Sequence, residues 1–366
     1  MLTRVQCLFA CLLLTVATTA ADAATWCVGT TAELRSALAA AEGNGEDDEI
    51  RIRIGHYAAA PGGTLYDATF AYRTAENHDL TLRGGYITAF GSPCGFRTTD
   101  ANQTELSGSH LEGVLAVVAD PGTSGDIRIE TLTLRDGRAT SAAASVHLFG
   151  FAGFNGDISV DRIIVRNNDV PGSSSTQGSL NVVTWGRVSI TNSLFLANRT
   201  GGTTSALSLV MNSGGSESNH IVGNTFVANS CLSGGVCADV LQIRSDAGGD
   251  TQVVVANNAF ALNDSADDLG VDGPLGLFLY HNNFVGLSTN VAPEVDVGNL
   301  ALFNPGFVDP LGGDFRLLPE SPLRDAGATS LALTERDLDG LPRIHGADVD
   351  IGAYESRVEL FSDGFE

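Results

Sequence analysis

Three observations predict an all-β protein built as a single-stranded parallel β-helix with a short N-terminal cap helix. First, short segments of similar character return at a nearly fixed interval through the middle of the chain. Second, the stretches between them hold further β-branched alternations separated by Gly, Ser and Asn turns, with no helix-period pattern to act as a crossover. Third, Gly supplies 43 of 366 residues while aromatics are held to 7%, a turn-rich composition unlike collagen, coiled coil or disorder. Strands that repeat without crossover helices stack naturally along one axis, each ~4.8 Å from the last, so inward residues meet their own equivalents.

Residues 1–23 read as a secretory signal peptide. Arg4 precedes the apolar run Leu8 to Val16, and Ala21-Asp22-Ala23 places small residues around a cleavage point. No other apolar run is long enough to span a bilayer. Removal of this segment leaves four of the six cysteines, Cys27, Cys94, Cys231 and Cys237, and an even number in an exported chain favours disulfides. Cys231 and Cys237 flank the flexible Leu-Ser-Gly-Gly-Val, a loop that closes easily, which leaves Cys27 to staple to Cys94. Loop entropy assigns these bridges about 2 and about 4 kcal/mol respectively.

Residues 24–100 are expected to form the N-terminal cap and the first coils. Thr30-Thr31-Ala32-Glu33 offers a capping box, Leu34 and Leu38 share one helical face, and Gly43-Asn44-Gly45 ends the helix before Ile50 to Ile54 opens a strand.

Residues 101–290 carry the repeat. Ile127 to Asp136, Ile158 to Asn167, Val188 to Asn198, His220 to Asn229, Val253 to Asn263 and Leu277 to Val285 each run from an apolar alternation through a polar corner to a second apolar pair. Anchored on Thr133, Ile164, Phe195, Phe226, Phe260 and Phe284, the steps are 31, 31, 31, 34 and 24 residues. A second series lies between them: Val114 to Val118, Val146 to Phe149, Leu180 to Val183, Leu207 to Met211 and Val240 to Ile243. Phe195, Phe226 and Phe260 are expected to stack inside. Asn167, Asn198, Asn229 and Asn263 are expected to form a structural amide ladder at a turn.

Residues 291–356 read as C-terminal coils and cap, and 357–366 as a tail ending in Phe361-Ser362-Asp363-Gly364-Phe365-Glu366. The closing region contains Asn304-Pro305-Gly306-Phe307, Gly313-Asp314-Phe315-Arg316-Leu317, Asp325-Ala326-Gly327, Asp339-Gly340 and Asp350-Ile351-Gly352-Ala353-Tyr354-Glu355. Over about 300–355 it resembles the closing segment of bacterial exported proteins of the choice-of-anchor Q family, in the pectate-lyase-like superfold. The resemblance implies a right-handed parallel β-helix that is secreted or held at the bacterial cell surface.

Charge narrows the function. The formal net charge is −23, and all 20 basic residues are Arg, a surface that repels phosphate backbones and anionic lipids. A nucleic-acid partner is therefore not expected, and the absence of Lys excludes a lysine base. The reading is a monomeric, noncatalytic binding or structural protein whose partner is an extracellular polysaccharide or cell-surface glycan, laid along a rigid lateral wall. The alternative is a polysaccharide lyase or glycoside hydrolase. Its candidate catalytic residues are the acid pair Asp267 and Asp268, read first as a solvated turn, and His281 in Tyr-His-Asn-Asn, which lacks a visible acid partner. Asp337, Asp339, Asp348 and Asp350 form the densest acidic group, a candidate Ca²⁺ site since hard cations take oxygen ligands. Asp-Gly turns account for them equally well.

Overall fold

The computed structural model describes residues 23–58, 65–139, 144–171, 177–212, 218–232, 237–246 and 251–357. Apart from Ala23 the expected signal peptide lies outside the described residues, and so does the tail beyond Arg357.

Short parallel strands dominate. One long sheet runs, neighbour by neighbour, through Ala24–Val28, Asp48–Arg53, Leu80–Ala89, Ile127–Arg135, Ile158–Arg166, Val188–Thr191, Ser218–Val222, Gln252–Ala256, Gly276–Tyr280 and Val295–Val297. Every pair along this path is parallel. A second sheet orders Ala68–Thr74, Gly113–Ala119, Val146–Gly150, Leu180–Thr184, Thr204–Met211, Cys237–Ser245, Ser265–Asp272 and Leu287–Thr289, also parallel throughout. A third pairs Asp169–Val170, Arg199–Thr200 and Ser230–Cys231. Each sheet thus takes one strand from each successive repeat, as the two sequence series predict.

Alternation places the core. Ile129, Val160, Ile190, Ile221, Val255 and Leu279 are in-register equivalents in the long sheet, and Leu115, Val146, Leu180, Leu207, Leu241 and Leu269 are equivalents in the second. Both rows are buried and belong to one continuous cluster. Phe195, Phe226 and Phe260 join it as a stack with ring centroids 4.7 and 4.5 Å apart and planes within 9°. The pairing corrects the register upstream: Phe195 faces Val165, while Ile164 pairs Thr133 and Leu194.

Two columns of left-handed residues turn the chain within each repeat. Thr131, Arg162, Asn192, Asn257 and His281 hold φ between 46° and 56° at the first, with Gly223 and Gly298 completing it. Asp136, Asn167, Ala197, Ala228 and Leu262 form the second. The ladder Asn is the residue after the left-handed one, so the expected member Asn167 is replaced by Asn168. Asn168, Asn198, Asn229 and Asn263 pass amide hydrogen bonds along at 3.0 Å. A second ladder, Asn224, Asn258, Asn282 and Asn299, follows the first turn. Each amide also donates to a carbonyl of the preceding repeat, Ile190 and Ile221 among them, so buried backbone groups are satisfied where strand pairing lapses.

The helix spans Thr31–Ala41 and buries Leu34, Ala37, Leu38 and Ala41. Thr30 accepts from the Glu33 amide, but the Glu33 carboxylate returns to the Gly29 amide, one residue short of a full capping box. Cys27–Cys94 and Cys231–Cys237 are both bonded, with Cα separations of 5.9 and 5.4 Å. Among the described residues no helix is long and apolar enough to cross a membrane.

The segment read as a closing cap lies against the outward side of the long sheet. Phe307, Phe315, Leu317, Leu323, Leu338 and Ile351 cluster with the outward residues Ile164, Leu194, Val227 and Ala261, and Leu331 packs on Val222, Val254 and Ala256. Gly352 donates to the Asn257 carbonyl and Ala353 to the Thr225 hydroxyl. Inside this segment Arg343, 2% exposed, bonds the Glu355 carboxylate and the Asp350 and Gly352 carbonyls.

Candidate functional site

Toward the N terminus the outward side of the long sheet is uncovered and charged. Arg83 bridges Glu49 at 2.8 Å and Glu130 at 2.9 Å, Arg97 reaches Glu130 at 3.0 Å, and Arg162 holds Asp161 at 2.8 Å. Burial works to raise the Glu130 pKa, but hydrogen bonds and charge from Arg83 and Arg97 hold it below the usual range. These guanidiniums are committed to carboxylates, the arrangement of a structural network more than of a free base.

Beside this network Arg128, Ser159, Ser189 and His220 stand in register on four adjacent strands. With Asp126, Asp157, Arg187 and Ser218 they line a cleft of about 270 Å³. Arg128 donates to Asp126 at 2.5 Å, and Arg187 pairs with Asp157. The His220 Nδ1 is buried without a hydrogen-bond partner. Burial, then the charge of Arg187, lowers the His220 pKa, which favours a neutral imidazole. The cleft therefore offers hydroxyls, a neutral imidazole and charge-balanced guanidiniums.

The second sheet carries a polar row on the side away from the core. His147, Asn181, Ser208, Gln242 and Gly270 are in-register neighbours, all buried. Asn181 lies 3.4 Å from His147 Nδ1, and Tyr66 covers the His147 ring at 4.4 Å. Burial pushes the His147 pKa down to about 4. The Asp239 carboxylate occupies the space a side chain at Gly270 would need. Burial, aided by Asp267 and Asp272, pushes its pKa up to about 6. This row is closed to solvent, whereas the long-sheet cleft is open.

The sequence-derived candidates do not come together as one site. Asp267 and Asp268 lie in the strand Ser265–Asp272, correcting the expected solvated turn. Asp268 is buried and accepts from the Val285 amide at 2.6 Å, and burial lifts its pKa to about 6. Asp267 has Asp239 as its in-register partner on the neighbouring strand. His281 is the left-handed residue of its repeat, its Nδ1 2.8 Å from the Ala326 carbonyl.

The four C-terminal acids are mostly spent on the local chain. Asp337 accepts from the Leu341 and Glu355 amides, Asp350 from the Asp325 and Ser356 amides, and Asp348 from the Thr329 hydroxyl. Burial raises the Asp337 pKa to about 6 and also raises that of Asp339, which feels Arg316 and Asp100. Among the described residues no three His, Cys, Asp or Glu side chains are arranged to hold a metal ion.

Sequence reading missed the cleft residues because Ser159, Ser189 and His220 are unremarkable singly. The one available signal was their shared offset before the first polar corner. Comparison with known protein families, curated proteins and solved structures finds no match for this chain.

Proposed function

We propose that the stacked parallel sheets are the walls of an exported right-handed parallel β-helix of the choice-of-anchor Q type, which binds a glycan along the uncovered part of its long sheet. The observation that carries this reading is the in-register row Arg128, Ser159, Ser189 and His220 in an open cleft. Polar groups repeated at strand spacing, ~4.8 Å, suit a polymer of hydroxyl-bearing units. Two disulfides fit an oxidising compartment outside the cytosol.

Binding without turnover is the primary reading, because the charged groups beside the cleft are already paired with one another. One observation favours a lyase or hydrolase instead: Asp239, its pKa raised by burial, is the in-register partner of Asp267 on the neighbouring strand, and a pair of neighbouring carboxyls is what cleavage of a glycoside uses. The test is incubation with a polysaccharide panel, with and without Ca²⁺, measuring reducing ends and unsaturated uronates alongside binding. Retention without product supports the binding role. Product formation that disappears in Asp239→Asn or Asp267→Asn establishes the enzyme reading in its place.

A further inference from the structure

We infer that the cleft between Arg128 and His220 is a binding site for a neutral, hydroxyl-rich oligosaccharide segment, with His220 and Ser189 as its specificity-determining residues. The inference rests on the glycan reading above and names the class of sugar and the residues that select it. Three features of the cleft carry it.

The first is the His220 ring in the cleft wall: its Nδ1 is enclosed without a partner, whereas its Nε2 is neither enclosed nor hydrogen-bonded among the described residues. Nε2 bonds a ligand hydroxyl as donor or acceptor, whichever tautomer the ring adopts. The second is charge balance. Arg128 is held by Asp126, with Asp79 3.4 Å away, and Arg187 is held by Asp157. A uronate or phosphate would have to displace a carboxylate from its guanidinium and would meet three acids in doing so. A neutral hydroxyl can add to these pairs, accepting from Arg and donating to Asp, without breaking them. The third is size: at about 270 Å³ the cleft falls just below the range of drug-sized pockets, so it grips a short stretch of a chain that continues along the sheet.

The test uses the full mature chain and calorimetric titration with neutral tetrasaccharides (β-1,4-glucose, β-1,4-xylose and α-1,4-glucose) and with tetragalacturonate. The expected result is binding of at least one neutral tetrasaccharide, weakened about tenfold by His220→Ala, the loss of roughly one well-placed hydrogen bond. Ser189→Ala provides a second reading with smaller risk to folding, and thermal melting confirms that each variant is folded. Neutral binding that both variants leave unchanged overturns the placement but leaves the glycan reading standing. Preferential binding of tetragalacturonate overturns the neutral class. No binding of any oligosaccharide, with the protein folded, overturns both this inference and the glycan reading beneath it.

Discussion

Along the outward side of the long sheet, the half nearer the N terminus and the half nearer the C terminus share one strand geometry and differ in what meets them. In the first half outward positions are Glu49, Arg51, Arg83 and Glu130, paired with one another, and Asp161, paired with Arg162, in partial contact with solvent. In the second they become Val222, Val254, Ala256, Val227 and Ala261, and the chain's own closing segment lies over them. The turns differ too. The place filled by Asn224, Asn258 and Asn282 in the covered half is filled by Leu132 and Ile163 in the open half. A repeat can therefore keep its inward pattern while its outward residues declare whether water or protein lies beyond, and the open half is where a ligand can approach.

The largest effect is expected from uncovering the second half. Arg343→Ala would remove the cation beside Glu355 and the bonds to the Asp350 and Gly352 carbonyls, leaving that buried carboxyl only the His345 and Asp350 amides, at a cost of about 3–5 kcal/mol, read as a lower urea midpoint with increased binding of a hydrophobic dye. An unchanged midpoint would mean that the segment holds by apolar contact alone. Next, Asn258→Ala removes bonds to Asn224, Asn282 and the Ile221 carbonyl, and should cost about 2–3 kcal/mol. Asn258→Leu, copying the open half, should recover little of this, because the neighbouring amides stay unpaired.

In the open half Glu130→Gln leaves Arg83, Arg97 and Arg162 facing one another, and about 1–3 kcal/mol of stability should go, part of it returning at high salt. Melting temperature measured against pH then tests the buried acids. Burial raises Asp48, Asp239, Asp268 and Asp337 to about 6 and Glu355 to about 7. Folded protein thus keeps protons that the unfolded chain has released above about pH 4.5, and stability should fall as pH rises from 5 through 7. His147, lowered to about 4, and His220, also lowered by burial, act oppositely below pH 6.5 but are two groups against five. A melting temperature that rises over this interval would show those acids to be ionised when folded. The smallest effect belongs to Arg187→Gln. Its pair with Asp157 is exposed, so stability should change by less than about 1 kcal/mol.

Inward pattern was legible in the sequence because it is written by alternation: the two strand series, the Phe stack and both disulfides are as the residues foretell. Register within a corner was not. A left-handed residue inserts one position between two strands, so Thr133, Ile164 and Phe195, which look equivalent in sequence, fall in two different columns. The same shift made Asn167 look like the ladder residue when Asn168 is. The site was less legible still. Asp267 and Asp268 look like a pair in sequence, but on a strand adjacent side chains take opposite sides, and each instead meets a residue of another repeat. Ser159, Ser189 and His220, far apart in sequence, become neighbours only once strand pairing is known.

Where the two Asn ladders run side by side they fix a ruler within the repeat. Asn224 and Asn229, like Asn258 and Asn263, are five positions apart, while the interval from one second-ladder residue to the next contracts from 34 to 24 to 17. Growth and shrinkage are thus confined to the stretches outside the bracket. Inserting a single residue between paired Asn positions would throw two amide series out of step at once, whereas loops elsewhere can lengthen or shorten freely. The stretch between successive strands of a sheet is adjustable; the Asn-lined corner is not.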